Sequence, residues 1–450
     1  MKKRYCVIGI SNRAIGMFLD PIRGPYQKYA DVVGMLDSDQ SRMDRYNSTR
    51  KANIPTYLPD QFDKMIQKER PDVVIVACRD CDHDHYIIKS LAYDLDVISE
   101  KPLTISEEKC AKIAAAQSKS KGRVTVTFNY RYAPPATRIR ELIMDGKIGK
   151  VVSVDLNWYL DTYHGSSYFQ RWNRQRECSG GLSVHKACHH LDLVRWWIDQ
   201  HPVEVFAFAA LNFYGPKGVH NPLRAKEIGD GRTCPTCDKK TQCKYYMRFY
   251  RAELRGDNGC CMLAKIDDHI DVHQQYENYN PRQCIFDPKI NIEDTYSAVI
   301  KYDNGAFLNY TLNGSVPYEG YRLGINGTEG RIEFKELHGP ERFPFPAPAS
   351  EPITYIPMFG GREVVDVINP GGAHGGGDPL LLDELFIGPD AMNKTKRMAD
   401  LSDGIEAVLT GVAVYKSAQQ GKPISINSLR QVAGIDDLHQ SISKIPAMCK

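Results

Sequence analysis

The chain has 450 residues, of which 42% are hydrophobic and 25% charged, with 35 glycines and 26 prolines. At about 150 residues per domain that length suggests two or three domains, and the composition excludes a disordered or collagen-like chain. A net charge of +3 is too close to balance to point to nucleic acid or an anionic membrane surface, so neither is expected as a partner.

No window reaches the unbroken apolar run of about 18 residues that a membrane helix needs. The run Tyr5-Cys6-Val7-Ile8 is too short for a signal peptide and reads as a first strand. A cytoplasmic location with reduced thiols is therefore expected. The 13 cysteines are an odd number, which argues against a fully paired disulfide set.

The first 130 residues alternate strand and helix. Tyr5 to Ile8, Asp31 to Leu36, Val73 to Ala77, Asp96 to Ser99 and Val124 to Phe128 read as strands. Between them Ser38 to Ala52, Gln61 to Lys68, His85 to Tyr93 and a stretch ending near Gln117 read as helices, the second capped by Asp60 and the last by a Thr104–Glu107 capping box. Repeated strand–helix–strand units predict a doubly wound parallel sheet. After a helix from Pro134 to Met144 come longer alternating strands: Val151 to Trp158, Val203 to Asn212, Ser297 to Tyr302, Ala306 to Leu312, Tyr321 to Asn326 and Arg331 to Phe334. Asp303-Asn304-Gly305 and Asn326-Gly327 mark turns, so an open, mostly antiparallel sheet is expected. Ala399 to Ser417 returns to a helical pattern. The expected division is an α/β protein with residues 1–130 as a dinucleotide-binding domain of Rossmann type. Residues 131–450 form a second α/β domain for substrate and oligomerisation, with a Cys-rich insertion at about 215–287.

Ligands of doubly wound sheets bind outside the carboxyl ends of the strands. Gly9-Ile10-Ser11-Asn12-Arg13-Ala14 stands there, with Ser11 and Ala14 in place of the second and third glycines of the dinucleotide frame. Asp37 ends the second strand, where a carboxylate accepts both ribose hydroxyls of NAD and repels the 2′-phosphate of NADP. A plain strand–helix turn capped by Asp37 is the bland alternative.

Several phrases coincide along the chain: Glu100-Lys101-Pro102 after Asp82-His83-Asp84-His85, then Phe128-Asn129-Tyr130-Arg131, then Gly180-Gly181 leading to His185, His189 and Asp192, then Asn326-Gly327-Thr328-Glu329-Gly330. In order and spacing this resembles the glucose–fructose oxidoreductase, inositol dehydrogenase and rhizopine-catabolism (Gfo/Idh/MocA) family. The resemblance implies a bound NAD, a sugar or cyclitol substrate, a cis peptide at Pro102, and homodimers or homotetramers built through the second sheet. It places Glu100 and Lys101 beside the nicotinamide and His189 as general base. Ala77, Cys78, Arg79, His85 and Asn129 join Gly9, Ser11, Asn12, Arg13 and Asp37 as candidate cofactor contacts.

Oxidising a secondary alcohol requires a base within hydrogen-bond reach of the hydroxyl. His189 needs little tuning for that work, and Lys101 can stabilise the developing alkoxide. Four residues before His189 many family members carry aspartate, and this chain carries His185, so the carboxylate that orients the base is missing from its usual place. His185 is expected to assist, on one helical face with His189, and Lys186 to lie off that face. A metal held by these histidines lacks further ligands. Asp192 is expected to anchor the helix or a sugar hydroxyl. A dense polar-aromatic stretch, including Trp158, Tyr163, Trp172 and Arg174, suits a sugar, and Arg131 is a further substrate candidate. His374 is a weaker one, on a glycine-rich loop in which Asp378 caps the next helix. Each of these residues has a bland structural alternative: an exposed lysine, a packed histidine, a capping loop.

Cys234, Cys237 and Cys243 give C-x2-C-x5-C. With Cys260 as the fourth ligand (or Cys261, or a histidine) they form a candidate structural zinc site. Free thiols or a disulfide are the alternatives. Asp267 to His273 reads as a solvated acidic segment.

The resulting expectation is an NAD-dependent oxidoreductase acting on a sugar, glycoside or cyclitol. Two other readings stay open: an NAD-recycling glycoside hydrolase or epimerase working through a transient keto-sugar, and a non-catalytic NAD-bound sensor or assembly protein.

Overall fold

A computed structural model describes residues 2–223, 232–234, 237–246, 283–339, 346, 351–367, 373–390 and 392–432. The first sheet is built from β1 (Lys3–Ile8), β2 (Ala30–Leu36), β3 (Thr56–Tyr57), β4 (Val73–Val76), β5 (Asp96–Ser99) and β6 (Val124–Val126). These six strands pair in parallel. β4 is buried along its whole length, as strands covered on both faces must be. Successive residues of β1 serve opposite faces. Cys6 and Ile8 join a core with Phe62, Ile87 and Ile113; Tyr5 and Val7 join another with Phe18, Met43 and Phe386.

The second sheet contains β7 (Val151–Asp161), β8 (Pro202–Ala210), β9 (Thr295–Tyr302), β10 (Phe307–Val316), β11 (Glu319–Gly327), β12 (Gly330–His338), β13 (Ile353–Pro357) and β14 (Glu363–Val365). β15 (Ala399–Asp400) and β16 (Ile424–Ser425) are short late strands. The order is β14-β13-β12-β11-β7-β10-β9-β8-β16, and its pairs are antiparallel except β7 with β10. The helix Leu401–Gln420 covers the inner face with Ile405, Val408 and Val412.

The chain does not stay on its own side of residue 130. The helix Gly377–Phe386 places Leu381, Leu382 and Phe386 in the core of the first sheet. β15 adds to that sheet by pairing antiparallel with β6. The two halves are thus tied by a late segment that sequence periodicity alone does not locate.

Three expected caps are replaced. Asp60 lies inside a short turn, Pro59–Gln61, and the helix Phe62–Glu69 has no side-chain cap. Ser106, not Thr104, caps the helix Glu107–Gln117, accepting from the Lys109 amide at 3.4 Å. Gly376 precedes the helix Gly377–Phe386 with no side-chain cap, because Asp378 is turned to other partners. Among the described residues no helix is long and apolar enough to cross a membrane.

Candidate active site

Gly9 ends β1 with φ +82°, and a Cβ there would stand 2.5 Å from the Cα of Cys78. Only glycine fits this turn. The next amide, of Ile10, donates to the buried Asp37 carboxylate at 2.6 Å, and Arg42 approaches that carboxylate at 3.6 Å. Ser11 takes the second glycine's place because it caps the helix that follows. Its Oγ accepts from the Ala14 amide at 3.1 Å and donates to the Ala77 carbonyl at 3.3 Å. The cradle left open at Gly9 and the carboxylate at the end of β2 fit a dinucleotide.

A continuous cleft of about 1760 Å³ runs from this turn to the second domain, ample for a dinucleotide and a sugar together. Gly9, Ser11, Asn12, Arg13, Asp37, Ala77, Cys78, Arg79, His85, Glu100 and Lys101 all line it. Arg13 pairs with Glu100 at 2.8 Å and with Asp378 at 3.4 Å, fastening the turn to the loop after β5. The Lys101-Pro102 peptide is cis.

The far end is built by two consecutive helical segments. His185 ends one, Leu182–His185; Lys186 breaks the run; His189 stands in the next, Ala187–Ile198. Both histidines line the cleft, and so does Lys186, contrary to the expectation from a continuous helix. The break rotates Lys186 inward, where it lies over the rings of Tyr130 and Trp158 at 5.8 and 5.6 Å. Burial pulls its pKa down to about 8.

The carboxylate missing from the sequence motif comes from the other domain. Asp80, just after β4, meets His185 Nδ1 at 2.5 Å. On the other side of the ring Asn173 Nδ2 lies 3.2 Å from Nε2. Burial pushes Asp80 up to about 7. His185 is held well below the usual imidazole value by burial and by the nearby charge of Lys101. A carboxyl raised by burial and an imidazole lowered by it, 2.5 Å apart, are placed to share one proton. Lys101 Nζ donates to the His185 carbonyl at 3.3 Å, so an amine of the first domain and the imidazoles of the second meet here. His189 is also kept neutral, by burial and then Lys101, and its Nδ1 is buried without a hydrogen-bond partner among the described residues.

Trp172 and Arg174 line the cleft. Four other expected contacts do not. Asn129 donates to Asp378 at 2.6 Å, and Tyr163 follows the cap of its helix; neither is in the lining. Arg131 is 2% exposed and bonded to Asp192 at 2.8 and 2.5 Å, a structural pair that removes both from substrate contact. Trp158 is fully buried, stacked between His190 and Tyr321. His374 lines the cleft, held by Asp378 at 3.1 Å. Asp80, Lys186, Asn173 and Arg171 are among the cleft residues that motif reading missed.

Cys234, Cys237 and Cys243 gather around a small apolar cavity together with Cys284, a cysteine the sequence reading did not use. Cys260, Cys261 and Asp267 to His273 lie outside the described residues. Among the described residues no group of three or more candidate ligands is disposed to hold a metal ion. No chemical step is assigned to a metal there.

Two family models cover nearly the whole chain: an oxidoreductase-family NAD-binding Rossmann fold over residues 3–128 and an oxidoreductase-family C-terminal alpha/beta domain over residues 140–426. The chain belongs to the Gfo/Idh/MocA oxidoreductase family. A relative named "Putative oxidoreductase YteT", from Bacillus subtilis (strain 168), is 46% identical over 439 residues, 96% of this chain and 100% of its own. An inositol 2-dehydrogenase of Acidothermus cellulolyticus is 29% identical over 240 residues, 52% of this chain and 65% of its own. The crystal structure of an aldose-aldose oxidoreductase from Caulobacter crescentus superposes with a TM-score of 0.61 at 15% identity, covering 94% of this chain and 100% of that one. The Gfo/Idh/MocA assignment makes residues 3–128 an NAD-binding domain, in agreement with the Gly9 cradle.

Proposed function

We propose that the protein is an NAD(H)-dependent oxidoreductase acting on a secondary hydroxyl of a sugar, glycoside or cyclitol. The nicotinamide, when bound, supplies the two-electron acceptor. Gly9, Ser11 and Asn12 would hold its pyrophosphate and Asp37 its ribose. The chain itself supplies proton handling. Lys101 Nζ polarises the reacting hydroxyl, and His189, neutral and with Nδ1 unpartnered, accepts its proton. Asp80 orients His185 and gives it a place to pass a proton. The observation that carries the reading is the meeting of Lys101 with the His185 backbone at 3.3 Å beside that unpartnered imidazole. Incubation with NAD and a panel of sugars and cyclitols should yield NADH with at least one. Bound cofactor with no turnover on any would favour the sensor.

The Asp80–His185 pair also supports a second reading. A carboxyl raised to about 7 and held against an imidazole can protonate a leaving group, so transient oxidation followed by elimination or epimerisation is available. That chemistry gives product without net NADH.

Asp80→Asn separates the pair's role from packing. In the native protein, alcohol oxidation should rise with pH through about 7, where Asp80 titrates, because the pair must release its shared proton before accepting another. In the variant that limb should vanish or move lower, since His185 is already depressed by burial and Lys101, and kcat should fall about 10-fold or more. An unchanged pH profile would count against the pair.

We also propose a homodimer or homotetramer formed through the outer face of the second sheet. Phe206, Phe208, Val299 and Phe307 are exposed there, Phe208 at 67%. An apolar patch of this kind marks an interface. Phe208→Asp should reduce the mass measured by light scattering; an unaltered mass would locate the contact elsewhere. The described cysteines are all free, which suits the reducing cytoplasm.

A further inference from the structure

The charge lining the substrate end of the cleft is unbalanced. The lining residues beyond residue 130 include Arg171, Arg174, Lys186 and Lys289 but, among the described residues, no aspartate or glutamate. The carboxylates of the lining all come from the first domain, and their partners are at hand. Asp37 accepts from the Ile10 amide, Asp39 from the Ser41 amide, Asp80 faces His185, Asp82 pairs with Arg79 and Glu100 with Arg13.

Among the described residues, three of these cations, Lys186, Arg171 and Arg174, are incompletely neutralised. Lys186 is 4% exposed and has no ion pair among the described residues; aromatic rings alone lie under its ammonium. Glu319 attracts it but is outside the lining and is engaged by His164 at 2.8 Å. Among the described residues Arg171 donates only to the carbonyl and hydroxyl of Ser167, at 3.0 and 3.1 Å. Arg174 reaches Asp287 through one nitrogen at 3.2 Å, while its Nη1 is buried with no partner among the described residues. Lys101, Arg171 and Lys186 all act on the same imidazole, His185, so their fields converge. A buried ammonium whose carboxylate is already engaged elsewhere is costly to keep charged, and a ligand that brings a direct counter-charge offsets that cost on binding.

We propose that the substrate is an anionic sugar, whose oxyanion, a carboxylate or a phosphate, is bound by Lys186 with Arg174 and Arg171. The inference rests on the sugar-oxidoreductase reading and narrows it. It also separates two anions: the cofactor's pyrophosphate belongs at the Gly9 turn, while this site is at the opposite end of the cleft.

The test uses the purified full-length protein with NAD and five probes: D-glucose, myo-inositol, D-glucuronate, D-galacturonate and D-glucose 6-phosphate. Binding to the NADH-loaded protein is followed in parallel by calorimetry. A uronate or the sugar phosphate should be preferred over both neutral probes by 10-fold or more in kcat/KM, and the better anion names the source of the charge. Lys186→Met should raise KM for that anion by about 10- to 100-fold, the loss expected for one charge-assisted hydrogen bond, with NADH affinity retained. If Lys186→Met does not fold, Arg171→Gln is read the same way. NADH formed from neutral probes but not from anions would overturn the inference and leave the oxidoreductase standing. Lys186-dependent anion binding with no NADH from any probe would support the anion site and reject the oxidoreductase. Equal loss of NADH affinity in the variant, or no binding of any anion, would also overturn the proposal.

Discussion

Lys101→Ala is expected to retain NADH binding and to lose turnover by about 10²- to 10⁴-fold, the usual contribution of a positioned acid–base group. The pyrophosphate and ribose positions proposed above, at Gly9, Ser11, Asn12 and Asp37, do not involve this side chain. Gly9, Asp37 and the Arg13–Glu100 pair at 2.8 Å hold that end of the cleft. The amine instead projects to the second domain, donating to the His185 carbonyl at 3.3 Å. It also depresses both His185 and His189. Removing its charge should therefore raise the pKa of both imidazoles and shift the acidic limb of any residual activity to higher pH. Titration of NADH fluorescence and steady-state rates check the two halves of this prediction. Near-normal turnover would exclude Lys101 from the chemistry.

The largest expected stability effect is at Arg131. It bonds Asp192 at 2.8 and 2.5 Å and lies 3.1 Å from Asp403, with 2% of its side chain exposed. Burial already pushes Asp192 up to about 6 against the pull of Arg131. Removing the guanidinium leaves Asp192 buried without its partner, and breaking a buried pair in this way costs about 3–5 kcal/mol. Arg131→Met should thus lower the denaturation midpoint markedly while leaving KM for the sugar unchanged in whatever fraction stays folded. A raised KM with unaltered stability would return Arg131 to the substrate site.

The Rossmann half is legible in the sequence because its signals are local. β4 is a continuous apolar run, Gly9 ends a strand, and Asp37 ends the next. The Glu100-Lys101-Pro102 phrase likewise marks its own position. What the sequence hides is contact across distance. Asp80 and His185 are separated by 105 residues, and nothing in either neighbourhood announces the other. Lys186 is hidden for a different reason: helical spacing assumes an unbroken helix, and the chain breaks at that residue. Arg131 misleads because a charged residue beside a cleft motif reads as a ligand contact until its buried carboxylate is seen. Cys284 has no neighbouring cysteine to flag it, yet the fold brings it to Cys234. The expected caps at Thr104 and Asp60 fail more simply, by a shift of one or two residues at helix ends, where several polar side chains compete.

The account's central claim is that an amine and a neutral imidazole from different domains converge on one alcohol. A crystal structure of the protein with NADH and a turned-over sugar tests it most directly. The reacting hydroxyl should lie within about 2.6–3.2 Å of both Lys101 Nζ and a His189 ring nitrogen, facing the nicotinamide over Glu100. A dinucleotide bound away from the Gly9 turn, or a sugar whose reacting hydroxyl touches neither group, would contradict it.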